Sequence, residues 1–385
     1  MKICLVTGSR SEYGLLKNLI YEIKKIKSFK LKIIVTGAHL SKKYNTTSNE
    51  IKKDKIKIDK KIDLNINKDN TNSIINSMSI GLLGFANTYK NFKPDLIIIL
   101  GDRYEIFTAA VAACFSRIPI AHIHGGEVTN GSIDDSIRHS ITKMSHFHFV
   151  AHKDYKKRVI QLGENSKRVF IVGGLGVDKI RLTKLLDKKK LEKKIGIKFN
   201  KKNLIVNFYP ETLNKFSAKK QLKELLTSLD NLKKTNLIFT APNPDLDSDI
   251  IFKMIKNYAK KRKNVFFYRS LGSLIFLSCL KYVDGMIGNS SSGLLEMPSF
   301  KKGTINIGER QTGRLKSSSV IDVVARKKNI LKAIKILYSK KFQKKTKKVK
   351  NLYGSGGASK QIASILKKIN LKKILIKKFY DVKNV

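Results

Sequence analysis

Most of the residues able to do chemistry fall in one stretch, 101–143, which reads GDRYEIFTAAVAACFSRIPIAHIHGGEVTNGSIDDSIRHSITK. Asp102, Glu127 and Asp134 supply carboxylates, Arg103 a guanidinium, and His124 and His139 imidazoles. Carboxylates and imidazoles are the groups that move protons near neutral pH, and a guanidinium steadies developing negative charge. We take this stretch as the centre of a catalytic site.

Three elements must position those groups. The apolar run Leu96–Leu100 reads as a buried parallel strand that delivers Gly101, Asp102 and Arg103 at its C-terminal tip. Residues 119–123 repeat that shape and end in His124, Gly125, Gly126 and Glu127. The segment IDDSIRHSITK reads as a helix start, with Asp134 or Asp135 as its cap and Arg138 and His139 one turn in. A cap with surface charges would explain this segment by itself; its place directly after HIHGGE favours chemistry. Open α/β sheets hold ligands in the crevice beyond such strand ends.

Around this centre, strands and helices alternate. Strands are predicted near 3–7, 31–36, 96–100, 118–123, 147–150 and 169–172, and helices over 15–26 and 74–92, the second stopped by Pro94. The polar section 45–72 reads as loops with short strands and little core. After a lysine-dominated stretch at 182–203, strands recur near 204–208, 236–240, 265–268, 285–287 and 304–307. Such alternation predicts parallel sheets with helices on both faces. The chain therefore reads as an α/β protein of two Rossmann-like, doubly wound domains facing a central cleft. Residues 1–180 carry the carboxylates, 181–202 form a Lys-rich connector, 203–358 form the second domain, and 359–385 a terminal helix with a basic tail.

Three further motifs sit at strand–helix junctions. GSRSEYG at 8–14 can hold phosphate oxygens with backbone amides and Arg10, although an ordinary turn with a surface arginine would look the same. It is not GxGxxG, which argues against a nicotinamide site. GNSSSGLLE at 288–296 brings Ser290, Ser291 and several amides to a helix start, with Glu296 placed to take a ribose hydroxyl. A serine N-cap would need only one of those serines, and the GK[ST] ending of a P-loop is missing. INIGERQTGR puts Arg310 and Arg314 four apart; a diphosphate explains both, a surface salt bridge only one.

A net charge of +50 raises the question of a nucleic-acid partner. Only 12 of the 79 basic residues are arginine, and the 67 lysines are spread along most of the chain. Scattered lysine is solvated surface, whereas phosphate readers favour arginine's planar fork, so no nucleic acid is expected. No apolar run approaches a bilayer span and the start MKICLVTGSR is already strand and loop, so no membrane is expected either. Cys4, Cys114 and Cys279 form neither a disulfide framework nor a zinc pattern, which suits a reducing cytoplasm. His122/His124 and His146/His148 have HxH spacing, yet no cysteine lies nearby and strand packing accounts for the second pair, so no metal is expected.

Together these blocks resemble the hydrolysing UDP-N-acetylglucosamine 2-epimerases of the sialic-acid and legionaminic-acid branch. GSRSEYG, GDRYEIF, HIHGGE, IDDSIRHSITKMSH, VIQLGE, GNSSSGLLE and INIGERQTGR follow one another over nearly the whole chain. The resemblance implies a GT-B-like fold, a terminal helix packed back on the first domain, no cofactor, and a homodimer or homotetramer. It implies that UDP-N-acetylglucosamine loses UDP by anti elimination to an enzyme-bound 2-acetamidoglucal, which water converts to N-acetylmannosamine. UDP-N,N′-diacetylbacillosamine is the alternative substrate for the same chemistry. A GT-B glycosyltransferase would share the fold and the UDP site but leave the carboxylates without a purpose; a non-catalytic UDP-sugar binder is suggested only by Tyr209.

By this match Asp102 and Asp134 fall at catalytic carboxylate positions. Arg10, Ser290, Ser291, Glu296 and Arg310 fall where relatives hold UDP, and Arg103, Tyr209, Asn243 and Arg314 complete the candidate contacts. Two departures stand out. His124 stands where some relatives carry a catalytic glutamate, which leaves acid and base open among His124, Glu127 and Asp134. Tyr209, in FYPET, replaces a usual histidine; a phenol donates a hydrogen bond but is not cationic near neutral pH.

Overall fold

The run Leu96–Leu100 is buried at every position, as a strand covered on both faces must be. Each such aliphatic side chain contributes about 1.5–3 kcal/mol when removed from water. In the computed structural model, which describes residues 1–41, 46–66, 70–129, 132–211, 218–242 and 248–382, this strand is the middle of a seven-stranded parallel sheet. The strands are β1 (Lys2–Thr7), β2 (Lys30–Thr36), β3 (Lys60–Ile62), β4 (Leu96–Leu100), β5 (Ile120–Ile123), β6 (Phe147–Val150) and β7 (Val169–Ile171), in the order β3-β2-β1-β4-β5-β6-β7. The order reverses between β1 and β4, and the loops leaving that switch point are GSRSEYG and GDRYEIF. This sheet belongs to the first of two units, Met1–Glu127, Ile133–Lys179 and Tyr353–Val385.

The second unit, Val128–Ser132 with Ile180–Leu352, has a six-stranded parallel sheet. Its strands are β8 (Lys202–Asn207), β9 (Thr235–Thr240), β10 (Val265–Tyr268), β11 (Gly285–Gly288), β12 (Gly303–Ile307) and β13 (Val320–Val323), ordered β10-β9-β8-β11-β12-β13. The switch point here lies between β8 and β11, whose loops are FYPE and GNSSSG. Both units are Rossmann-like and doubly wound, the GT-B-like architecture. The unforeseen β13 is short and only partly buried, so its apolar signal is weak.

Section 45–72 holds more core than its polarity predicts. The helix Ser48–Lys53 buries Ile51, and Ile56, Ile62, Leu64 and Ile66 are buried as well. Lysines between these residues broke up the apolar pattern without preventing each aliphatic side chain from turning inward. The helix Lys188–Ile195 does likewise with Leu191 and Ile195, which pack against Leu277 and Leu280 of the second unit. At the other end of the chain, the helix Ala358–Lys368 places Ile362, Ala363 and Leu366 in the core of the first unit with Leu16, Leu19 and Ile23. Asp178 anchors it by accepting from the backbone N–H groups of Gly357, Ala358 and Ser359, the donors a helix start leaves unpaired. Among the described residues, no helix is long and apolar enough to cross a membrane.

Candidate active site

Asp102 lies just past Gly101 at the end of β4, and Arg138 lies one turn into the helix Asp134–Met144. The two meet. Arg138 Nη2 donates to Asp102 Oδ2, and Nη1 donates to Asp135 Oδ1 at 3.1 Å and to the Glu127 carbonyl at 3.0 Å. Arg138 is 1% exposed, and a cation so deeply buried requires such partners. Burial pulls its pKa down, but Asp102, Glu127 and Asp135 outweigh that and leave it raised. One guanidinium therefore ties together the strand end after β4, the loop after β5 and the helix start. The Asp102 side chain stays 22% exposed, so the carboxylate remains reachable. The cap position belongs to Ile133, not to either aspartate. Asp135 is drawn instead to Arg138 and to His139, whose Nε2 lies 3.5 Å from Asp135 Oδ2.

The loop after β5 carries a second pair. His124 adopts φ +66°, a left-handed conformation uncommon outside glycine, and its Nδ1 lies 2.9 Å from Glu127 Oε1. Its Nε2 accepts from the Leu175 backbone N–H at 3.4 Å. With Nε2 accepting, the imidazole proton sits on Nδ1 and is donated to the Glu127 carboxylate. His139 Nδ1 is buried with no partner among the described residues, and burial lowers the pKa of this ring. His122, pulled down to about 3 by burial, stays neutral; its Nε2 donates to the Gly101 carbonyl at 2.8 Å and its Nδ1 accepts from Thr142 Oγ1 at 3.2 Å. His146 Nδ1 accepts from the Ile120 N–H at 3.2 Å, and His148 Nε2 lies 3.1 Å from Glu164. Among the described residues, no three His, Cys, Asp or Glu stand together as metal ligands.

Two arginines complete the first unit's candidates. Arg103 Nε donates to Glu105 Oε1 at 2.7 Å, and Arg10, the first residue of the helix Arg10–Lys24, lies 3.9 Å from Glu50.

In the second unit the switch-point loops are clipped together by one side chain. Asn289 Oδ1 accepts from the Tyr209 N–H at 2.7 Å, and Asn289 Nδ2 donates to the Tyr209 carbonyl at 2.8 Å. The Asn289 carbonyl in turn accepts from Arg310 at 3.2 Å and from Gln311 at 2.9 Å. Glu211 Oε1 accepts from the backbone N–H groups of Glu309 and Arg310 at 2.8 and 3.1 Å, which fixes the loop after β12. The Arg310 guanidinium lies 4.9 Å from the Tyr209 ring centre, a cation–π contact. Gly288, at φ +136°, leaves no room for a side chain, since a Cβ would lie 1.9 Å from the Asn207 carbonyl oxygen.

Ser290 Oγ accepts from the Ser292 N–H at 3.3 Å, and Ser291 occupies the cap position of the short helix Ser292–Leu295. Glu296 ends that helix with Oε2 buried and without a partner among the described residues, an oxygen suited to a ligand hydroxyl. Arg314 reaches the Val128 carbonyl at 3.4 Å and Thr129 Oγ1 at 3.3 Å. Asn243 lies outside the described residues. The structure thus gathers Asp102, Glu127, His124 and His139 around Arg138 and Asp135 in the first unit. It gathers Tyr209, Ser290 and Arg310 around Asn289 in the second. Arg138, Asp135, Asn289 and Glu211 hold these groups in place without standing out as site residues in the sequence. Only Arg138 carried a signal, as one of few arginines in a lysine-rich chain.

The family model for UDP-N-acetylglucosamine 2-epimerase matches residues 21–367. The chain belongs to that family. A Campylobacter jejuni protein named GDP/UDP-N,N′-diacetylbacillosamine 2-epimerase (hydrolyzing) is 44% identical to this epimerase, covering 99% of each chain. An Escherichia coli relative, polysialic acid biosynthesis protein P7, is 42% identical over 99% of this chain and 97% of its own. The Legionella pneumophila UDP-N,N′-diacetylbacillosamine 2-epimerase (hydrolyzing) is 34% identical over 98% of each. Among solved structures, the fold matches that of Neisseria meningitidis UDP-GlcNAc 2-epimerase bound to UDP-GlcNAc, with a TM-score of 0.71 at 22% identity over 96% and 100% of the two chains. It also matches Methanocaldococcus jannaschii UDP-GlcNAc 2-epimerase, in complex with UDP-GlcNAc and UDP, with a TM-score of 0.80 at 20% identity over 95% and 99%.

Proposed function

We propose that this epimerase acts on a UDP-2-acetamido sugar, expelling UDP by anti elimination and hydrating the resulting 2-acetamidoglucal. In the first step the C2–H and C1–O bonds break, the proton passes to the protein and UDP departs. In the second, one water supplies hydroxyl to C1 and a proton reaches C2 from the opposite face, giving a free sugar of manno configuration. The observation that carries this reading is the Asp102–Arg138–Asp135 cluster beside the His124–Glu127 pair. It supplies reachable carboxylates at fixed positions, which proton transfer at a weakly acidic carbon requires.

Asp102 and Asp134 are the proton-moving carboxylates in this proposal, with Glu127 and His139 as further candidates. His124, both of whose ring nitrogens are engaged within the protein, orients Glu127. Ser290, Ser291 and Arg310 stabilise the departing diphosphate, with Arg10, Arg103, Tyr209 and Arg314 as further contacts, and Glu296 takes the ribose. Asn243 completes the proposed contacts. The enzyme is proposed to work in the cytoplasm as a homodimer or homotetramer, which light scattering on purified protein would check.

The sequence places UDP-N-acetylglucosamine first as substrate. The names of the C. jejuni and L. pneumophila relatives favour a second reading, the 2,4-diacetamido sugar UDP-N,N′-diacetylbacillosamine. Incubating the enzyme in D2O with each sugar, as its UDP and its GDP derivative, and following products by NMR tests chemistry and substrate together. Deuterium at C2 of a released manno-configured sugar is expected. Product retaining protium at C2 rules out the elimination, and release of nucleotide only after an acceptor is added points to a transferase.

A further inference from the structure

Glu12 and Glu105 are both buried against Gly8 at the switch point of the first sheet. Ser9-Arg10-Ser11-Glu12 has the capping-box spacing. Ser9 Oγ accepts from the Glu12 N–H at 3.4 Å, and Glu12 Oε2 accepts from the Gly8 N–H at 2.7 Å. A capping box needs no burial of its glutamate, yet this one is 5% exposed. Glu105, in the first turn of the helix Tyr104–Phe115, is fully buried and holds Arg103 through Oε1. Its side chain passes over two glycines. A Cβ on Gly8 would lie 2.4 Å from Glu105 Cγ, and one on Gly37 would lie 3.1 Å from Oε1. One oxygen of each carboxyl, Glu12 Oε1 and Glu105 Oε2, is buried without a partner among the described residues.

Among the described residues the charges around these carboxyls do not balance. Asp102 and Arg103 come from the end of β4, Arg10 from the helix of Glu12, His39 from the turn after β2, and Lys179 stands over Gly14 one turn further along that helix. Burial pulls His39 down to about 4, so it is neutral, and Arg138 already serves Asp102. Arg10 stands 3.9 Å from Glu50, which Lys179 also faces. Among the described residues Arg103 is left as the cation in contact with Glu105, and one cation cannot offset two buried carboxylates. Burial first, then the neighbouring Glu105 charge, push the Glu12 carboxyl up to about 8.

We propose that Glu12 and Glu105 hold a single proton between them and that the pair positions Arg103 for the anionic nucleotide sugar, a role that rests on the reaction proposed above. The shared proton gives one of the two unpartnered oxygens a donor and the other an acceptor. Glu105 grips Arg103 with one negative charge. Loss of the proton adds a second, which repels the arriving diphosphate. Glu12 and Glu105 are thus positioning residues, acting through Arg103.

Steady-state kinetics against pH, with wild type, Glu12→Gln and Glu105→Gln, read this role. In wild type KM is expected to climb about tenfold per pH unit above the pKa of the pair, the slope of a single ionisation. Glu12→Gln, which cannot ionise, removes that limb, and Glu105→Gln raises KM at every pH by more than it lowers kcat. An alkaline limb that persists in Glu12→Gln, or a KM unmoved by Glu105→Gln, overturns the positioning role. Infrared titration needs neither substrate nor turnover. A protonated-carboxyl band is expected in wild type at neutral pH, fading with a midpoint near 8 and missing from Glu12→Gln. If that variant does not fold, Glu105→Gln replaces it, and the wild-type band must then fade at a different pH once the Glu105 charge is gone. A band absent from wild type, or unchanged by substitution, overturns the shared proton. If the band behaves as expected but no nucleotide sugar is turned over, the pair stands and the reaction falls. The pH dependence of UDP affinity, by calorimetry, then reads the limb in place of KM.

Discussion

The two units put their candidate residues at equivalent places in equivalent sheets and fill them with opposite chemistry. At the switch point between β1 and β4, and in the loop after β5, the first unit assembles ionisable side chains locked to one another: Asp102 and Asp135 on Arg138, Glu127 on His124, Glu105 on Arg103. At the switch point between β8 and β11, the second unit assembles mostly hydroxyls, backbone amides and the half-buried Arg310, braced by the neutral side chain of Asn289 and by Glu211. A carboxyl that moves protons is charged in one of its two states, and a charge held away from water is stable only within a network. Groups that hold an anion need mainly aligned donors, which loops of backbone and amide supply.

That contrast can be broken or sharpened experimentally. The largest effect is expected for Asp102→Asn, which should lower turnover by about 10²–10⁴-fold while leaving UDP affinity largely intact by calorimetry. Full activity in this variant would sink the assignment. Arg138→Met should act mainly as a loss of stability. It takes a shared hydrogen-bonding partner from Asp102 and Asp135, both still about a quarter exposed, and urea unfolding should show a loss of about 1–3 kcal/mol. Arg310→Ala should do the reverse of Asp102→Asn, weakening UDP about 10–100-fold through loss of a charged hydrogen-bond donor while the protein melts as before.

A pH experiment separates the units in another way, because all seven histidines lie between His39 and His152, in the first unit. Burial holds His122 near 3 and His39 and His146 near 4, below the ordinary imidazole value of about 6.5. Groups depressed in the folded state contribute stability that is present above the unfolded pKa and lost as pH falls through the folded one. Hydrogen exchange should therefore show the first sheet losing protection between about pH 6.5 and 4 before the second. Equal loss in both sheets would refute the point. The smallest effect is expected for Tyr209→Ala, which removes a cation–π contact worth about 0.5–1 kcal/mol and should weaken UDP by a few-fold.

The strands were legible because parallel strands buried on both faces read as unbroken apolar runs, as at Leu96–Leu100. The short edge strand β13 and the buried aliphatics of 45–72 were not, since burial there comes one residue at a time among lysines. The site was legible where glycine and charge met a strand end, as at Gly101-Asp102-Arg103. It was not legible where the partner came from elsewhere. Arg138 looked like a helix-surface charge until the fold brought it to Asp102, 36 residues away. Asn289 looked like part of a serine loop until it clipped the loop of Tyr209, 80 residues away.

By itself the order of motifs determined the fold class and the family, and pointed to the stretch 101–143 as the candidate centre. Those features depend on local periodicity and on short blocks in which neighbours along the chain act together. Tertiary structure decided which charges compensate which, that Arg138 is the hub of the carboxylates, and that Glu12 and Glu105 are both buried against Gly8. The physical reason is that a charge's state depends on burial and on partners within a few ångströms, and neither is written in sequence spacing.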